Sequence, residues 1–233
     1  MNVLRVMTYN IRHGLGADGR VDLGRITAVI SSYGPDIVGI QEVDINKPRS
    51  GLVDQAEALA HRLGMTASFQ PCLSSEGERY GIATLSRIPI IETRHLSLPG
   101  RPKLRRSEPR CALVTRLAWP DESGSVEVIN THLSTVFRER AAQTEAIACE
   151  LGGPHAIVVG DFNCTPLSRA YKQLCCGLRS ATRYARTWPA TLPMMPIDHI
   201  LVRGLEVVRA GTWTAKPARV ASDHLPLYAE LAA

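Results

Sequence analysis

From Asp36 to Gln41 the chain is almost unbroken apolar sequence, Ile-Val-Gly-Ile between its ends, and it stops on Glu42. A strand with one wet face alternates apolar and polar residues, so a run this continuous expects cover on both faces and a place inside a layered α/β structure. Two further runs have the same form. Val3 to Tyr9 delivers Asn10, and Ala156 to Val159 delivers Gly160-Asp161.

Helical spacing separates the early runs. Asp22 is placed to cap a helix carrying Leu23, Ile26, Val29 and Ile30, which Gly34-Pro35 stops. A second helix takes Val53, Ala56, Leu59, Ala60 and Leu63 and closes at Gly64, before a strand from Thr66 to Gln70. From Tyr80 the texture becomes strand and turn: Ile82 to Leu85, Ile88 to Ile91, His95 to Leu98, Cys111 to Leu117 and Val126 to Asn130. A helix over Arg138 to Leu151, a short one between Pro166 and about Cys175, and strands over Ile197 to Val202, Leu205 to Arg209 and Leu225 to Leu231 complete the chain. Strands inside and helices outside predict two packed sheets flanked by helices. With 233 residues, 45% of them hydrophobic, and no repeat or linker, one domain over residues 1–233 is expected.

The formal charge of +5 comes mostly from arginine, whose planar fork suits phosphate oxygens. Anionic substrates are the expectation. The six cysteines show no Cys-x-x-Cys or zinc pattern, so reduced thiols are expected, with Cys111 and Cys149 as small buried residues; Cys175-Cys176 has no assigned role. No charged leader with an apolar segment precedes the first strand, and no window suits a membrane span. Because the strand from Val3 already delivers Asn10, a cytoplasmic location is expected; a monomer is the expected state.

Chemistry concentrates where apolar runs end. Asn10, Glu42, Asp161 and Asp223 can converge on a hard divalent cation if those ends share a crevice. In Gly160-Asp161-Phe162-Asn163, alternation would point Asp161 and Asn163 to one side with Phe162 buried between them; an Asx turn is the simpler reading. His224 in Ser222-Asp223-His224 has a candidate acidic partner in Asp198, and an imidazolium there would stabilise charge on phosphorus. His132 taken by itself is as well explained by packing. His199 points away from Asp198 in an extended segment, so packing is its expected role, and His13, His61, His95 and His155 have no matching partners.

Together these segments resemble the endonuclease/exonuclease/phosphatase superfamily of metal-dependent phosphoesterases. The stretches are Met7 to Arg12, Ile40 to Asp44, Tyr80 to Arg87, Asn130 to Leu133, Gly160 to Asn163, Ile197 to Ile200 and Ser222 to Pro226. The resemblance implies a four-layer α/β sandwich of two mixed sheets, of the DNase I-like kind, with the site at one end. It implies Asn10, Glu42 and Asp223 around Mg²⁺ or Mn²⁺ with Asp161 beside them as water activator. Asn163 and His132 become phosphate-oxygen ligands, and His224 with Asp198 the dyad that stabilises the transition state. Arg12, Arg110 and Tyr80 resemble substrate-side positions. Attack is expected to be direct and in line, without a covalent enzyme intermediate.

For the substrate, a small or lipid-linked phosphodiester leads. A DNA or RNA nuclease is the alternative, then a phosphomonoesterase on a sugar or lipid phosphate, and last a non-catalytic phosphate-binding protein. The basic connection of Arg94, Arg101, Lys103, Arg105, Arg106 and Arg110 could track nucleic acid phosphates or attract a lipid headgroup. No aromatic residue is interleaved there to stack bases.

Overall fold

A computed structural model of the chain describes residues 3–101, 107–119 and 124–232. In chain order its elements are β1 (Leu4–Asn10), α1 (Leu23–Tyr33), β2 (Ile37–Ile45), α2 (Gln55–Leu63), β3 (Thr66–Ser75), β4 (Glu78–Ser86), β5 (Ile90–Leu98), β6 (Arg110–Ala118) and β7 (Ser125–His132). Then come α3 (Phe137–Glu150), β8 (Ala156–Asp161), α4 (Arg169–Leu174), β9 (Arg179–Ser180), β10 (Asp198–Arg203), β11 (Glu206–Thr212), α5 (Ala218–Ala221) and β12 (Leu227–Ala232). They form two six-stranded sheets, ordered β11-β12-β1-β2-β4-β3 and β5-β6-β7-β8-β10-β9. Both are mixed: β1 runs parallel to β2 and β7 parallel to β8, among antiparallel pairs.

Among the described residues, alternation along the strands sorts most buried side chains into three large cores, with a small fourth cluster of Ile82, Cys111 and Leu113. Met7, Tyr9, Val38 and Ile40 face outward onto Ile26 and Ile30 of α1 and Leu59 of α2. Leu4, Val6 and Ile37 face inward onto Val128, Ile157, Val159 and Ile200 of the second sheet. The outer face of that sheet, through Val114, Ile129, Val158 and Leu201, packs on Ile147 of α3 and Tyr171 and Leu174 of α4. The result is the expected four-layer α/β sandwich, and it explains why β2 and β8 read as continuous apolar sequence. Asp22 caps α1 by accepting from Gly24 N at 2.8 Å, a bond type worth about 1 kcal/mol.

A polar bridge ties the sheets together in mid-core. Gln41 Nε2 donates to Asn130 Oδ1 at 2.7 Å, and Asn130 Nδ2 donates to the Ala83 carbonyl at 2.8 Å. Gly39 leaves room for it, because a Cβ there would sit 2.5 Å from Val159 Cγ2 and 3.2 Å from the Asn130 amide.

Several expectations need correction. Cys72 on β3 and Cys111 on β6 form a disulfide that joins the two sheets, so these two thiols are not reduced. Cys149 is exposed rather than buried. Ile88 to Ile91 and His95 to Leu98 belong to one stretch around β5, and Val53 precedes α2. Lys103, Arg105 and Arg106 of the basic connection lie outside the described residues. Arg94, expected to belong with them, is held by Glu150 and by Glu127 at 3.3 Å. Among the described residues no helix is long and apolar enough to cross a membrane.

Candidate active site

Three neighbouring strands of the second sheet end in register. His132 of β7 lies opposite Asp161 of β8, and Asp198 of β10 lies opposite Asp161 on its other side. All three share the inward parity of Val128, Val159 and Ile200, so they line the end of the inter-sheet space. Across it, Asn10 ends β1 with the inward parity of Leu4 and Val6. Its Nδ2 donates to Asp161 Oδ2 at 3.1 Å and to Glu42 Oε1 at 3.0 Å, which joins the two sheets at the site.

Glu42 reaches this place by a route other than the expected one. It does not end β2, which continues to Ile45; it is the extra residue of a β-bulge between Gln41 and Val43, with φ 60°. Regular alternation would put its carboxylate beside Val38 and Ile40 under the helices. The left-handed residue, costing about 1–2 kcal/mol for a side chain of this kind, turns it toward Asn10 instead.

Asp161 is buried and well held: Asn163 N donates to its Oδ1 at 2.8 Å, while His132 Nε2 and His224 Nε2 lie 3.5 and 3.7 Å from its Oδ2. Burial, then the charge of Asp198, pushes its carboxyl up to about 7, with His224 pulling the other way. His224 Nδ1 lies 2.9 Å from Asp198 Oδ2. Burial disfavours a charged His224, but Asp198, Asp161 and Asp223 outweigh it and raise the imidazole to about 10. The site therefore holds an imidazolium facing a carboxylate. His132 is different, since burial and the positive charges of Arg110 and His224 hold it neutral, well below the usual histidine range.

Of the two readings of this segment the Asx turn is the one that forms: Asp161 Oδ1 accepts from Asn163 N at 2.8 Å, with Asn163 at φ 50°, off the strand alternation, and its Nδ2 donating to the Leu133 carbonyl at 2.9 Å. Phe162 before it is fully buried, in the core under α4. Gly160 is needed there too: at φ 146°, a Cβ would lie 1.9 Å from the Thr131 carbonyl oxygen.

The substrate-side candidates divide. Arg12 Nε stands 3.8 Å from Asp223 Oδ2 at the solvent edge. Arg110 is buried, its Nη2 3.1 Å from Glu108, and lies near enough to Glu42 to lower its carboxyl against the upward push of burial. Tyr80 is buried beneath Arg49, whose guanidinium sits 5.4 Å above its ring. Sequence reasoning missed Arg49, fixed by a two-pronged pairing with buried Asp44 at 2.7 Å on each arm. It also missed Thr187, whose hydroxyl makes a very short bond to Asp198 Oδ2, and Ser222 as a brace, its Oγ donating to the Asn10 carbonyl at 2.8 Å.

One cluster among the described residues is close enough for a cation: Asp161, Asp198 and His224 bring one ligand atom each to within 4.8 Å of one another. Beside it stand Glu42, which shares Asn10 with Asp161, and Asp223, whose charge Glu42 feels; carboxylate oxygens are the hard donors that Mg²⁺ and Mn²⁺ prefer. Asn10 as placed turns its NH₂ toward Glu42 and Asp161, and its Oδ1 accepts from Arg12 N at 3.1 Å, so it braces those carboxylates. His224 Nδ1 is engaged with Asp198 at 2.9 Å, which leaves Nε2 as the ring nitrogen facing Asp161. Glu42 fits for a second reason: burial raises its carboxyl, a cost that an adjacent cation offsets.

His199 lies outside this site, as expected. Its ring packs 4.6 Å from Tyr171 and 5.0 Å from Phe162, and Nε2 lies 2.8 Å from the Cys164 carbonyl. Burial holds it neutral, down to about 4 from an ordinary 6.5. The unfolded chain takes up this proton at higher pH than the native one, so stability present above the unfolded value is lost as pH falls from 6.5 toward 4. The loss is on the order of 3 kcal/mol. Urea unfolding at neutral and acid pH should show His199→Phe losing less stability on acidification than the parent; equal losses would contradict this.

The Endonuclease/Exonuclease/phosphatase family model matches residues 7–224. The YbhP protein of Escherichia coli (strain K12) is 29% identical over 251 aligned positions, covering 97% of this chain and 95% of YbhP. The crystal structure of an endonuclease/exonuclease/phosphatase from Beutenbergia cavernae superposes with a TM-score of 0.84 at 25% identity, over all of this chain and 72% of that one. A conserved protein from Enterococcus faecalis gives 0.82 at 24% identity, over 98% and 99% of the two chains. With a family model that spans most of its length and a site of acidic and imidazole groups at the end of two packed sheets, the chain belongs to the endonuclease/exonuclease/phosphatase family of metal-dependent phosphoesterases.

Proposed function

We propose that the chain hydrolyses phosphodiesters with Mg²⁺ or Mn²⁺ by direct in-line attack of water. The observation that carries this reading is the facing pair, His224 as imidazolium on Asp198 and Asp161 3.7 Å away, at the end of the inter-sheet space. Glu42, Asp223 and Asp161, braced by Asn10, would hold the cation, which when bound supplies Lewis-acid stabilisation of phosphoryl oxygens. Asp161 accepts the proton of the attacking water, a task suited to a carboxyl lifted toward neutrality. His224, oriented by Asp198 and Thr187, stabilises charge on the phosphoryl oxygens. His132, being neutral, donates to a phosphate oxygen without adding charge, and Asn163 is the second such donor. Arg12, Arg110 and Tyr80 border the substrate.

Charge supports a diester over a monoester. A monoester brings nearly two negative charges at neutral pH, whereas Arg12 is engaged with Asp223, Arg110 with Glu108 and His224 with Asp198. With Mg²⁺ or Mn²⁺ present, kcat/KM for bis-p-nitrophenyl phosphate should exceed that for p-nitrophenyl phosphate by at least about tenfold, the scale of one lost charge-assisted contact. Supercoiled DNA should be nicked slowly. A preference for the monoester, or plasmid cleavage as the fastest reaction, would overturn the assignment.

A further inference from the structure

The stretch from Phe162 to Ile197 carries five cations, Arg169, Lys172, Arg179, Arg183 and Arg186, and no acid, which equals the positive excess of the whole chain. Within it, a tight hairpin pairs Trp188 with Met195, whose N donates to the Trp188 carbonyl at 2.8 Å. Four of the eight residues from Trp188 to Met195 are large, apolar and exposed: Leu192 at 67%, Met194 at 63%, Met195 at 41% and Trp188 at 37%. Single exposed apolar residues are ordinary on a protein surface; four on one turn are not. The hairpin is anchored. Ala190 is buried in the core with Ala218 and Leu225, and its N donates to the Asp223 carbonyl at 2.7 Å. Just before Trp188 stands Thr187, the residue bonded to Asp198. The apolar turn therefore stands on the rim of the active site.

We propose that this hairpin docks the protein on an anionic phospholipid bilayer and so presents the site to a lipid-borne phosphodiester. The substrate part of the inference rests on the phosphodiesterase reading; the docking does not. Tryptophan and aliphatic side chains enter the headgroup boundary while flanking arginines meet lipid phosphates, a pairing of forces typical of proteins that lie on membranes. A nucleic-acid backbone would satisfy Arg183 and Arg186 but leave Leu192, Met194 and Met195 in water, since aliphatic chains have no face for base stacking.

Cosedimentation of the whole protein with vesicles tests it. Vesicles of equal parts phosphatidylcholine and phosphatidylglycerol should bind at least about tenfold better than pure phosphatidylcholine, and less well at high salt. Replacing Leu192→Ser together with Met194→Ser should lower that binding at least about tenfold. The pair Arg183→Gln and Arg186→Gln should lower it by about twenty-five-fold, from about fivefold per cation at the surface. Both variants should turn over soluble bis-p-nitrophenyl phosphate as the parent does, which also shows that they fold. Equal binding to both vesicles, or binding that survives loss of Leu192 and Met194, overturns the proposal. So does a double-stranded oligonucleotide or an acidic protein that binds through the arginine pair where vesicles do not. Vesicle binding is read without turnover, so failure to hydrolyse the soluble diester would refute the phosphodiesterase reading and leave docking standing.

Discussion

Replacing His224 by alanine is expected to lower kcat on a soluble phosphodiester by at least about 10², with the fold retained. The imidazole bridges both buried acids, 2.9 Å from Asp198 and 3.7 Å from Asp161, and those neighbours keep it protonated well above neutrality. Asp161→Asn should cost a similar factor, because the amide matches the carboxylate in size yet cannot take a proton from water, and it keeps an acceptor oxygen for only one of the two donors, Asn10 Nδ2 and Asn163 N. Asp198→Asn should cost less, since its task is to orient and charge the ring. The pH profile separates these roles. His224 is raised to about 10, so its contribution is present at lower pH and lost as pH rises through that value. Asp198 is the largest of the raising influences, and in Asp198→Asn the alkaline limb should move down toward the ordinary 6.5. Near-parental turnover in His224→Ala or Asp161→Asn at saturating metal would remove that residue from the mechanism; an unmoved limb in Asp198→Asn would remove the charging role.

Strand ends were the readable part of this site. Asn10, His132, Asp161 and Asp198 sit where an alternating pattern ends, and alternation alone sets which way each points. Glu42 was found for an incomplete reason. Its position depends on a bulge with a left-handed glutamate, and no glycine or asparagine marks that backbone event in the sequence. Thr187 was invisible because a hydroxyl in a loop rich in proline and threonine gains meaning only from the fold that sets it on Asp198. Cys72 and Cys111, 39 positions apart on different sheets, carry no spacing signal; they meet because β3 and β6 face each other across the sandwich. The layer architecture was legible for a simpler reason. Continuous apolar strands require cover on both faces, and three separate cores provide it.

Chelation should abolish phosphodiester hydrolysis, and Mg²⁺ or Mn²⁺ should restore it, without a change in far-ultraviolet dichroism. The chain should fold without the cation, since the sheets are closed by apolar cores and by the bridge from Gln41 to Asn130. Glu42 is where the cation matters most: its carboxylate is pressed by burial and by the charge of Asp223, and its protein hydrogen bond comes from Asn10 alone among the described residues. Binding a divalent ion should relieve that pressure and stabilise the native state, by about 2.7 kcal/mol at a hundredfold excess over Kd. A thermal shift on adding Mg²⁺ or Mn²⁺ to chelator-treated protein reads this directly, independently of catalysis. Glu42→Gln keeps the bond to Asn10 but removes the charge, so it should lose both the shift and at least about 10² in turnover. Parental activity in protein shown by elemental analysis to be free of metal would sink the mechanism. A collapse of the dichroism signal on chelation would show instead that the ion is structural, and a thermal shift that survives in Glu42→Gln would place the cation on Asp161, Asp198 and His224.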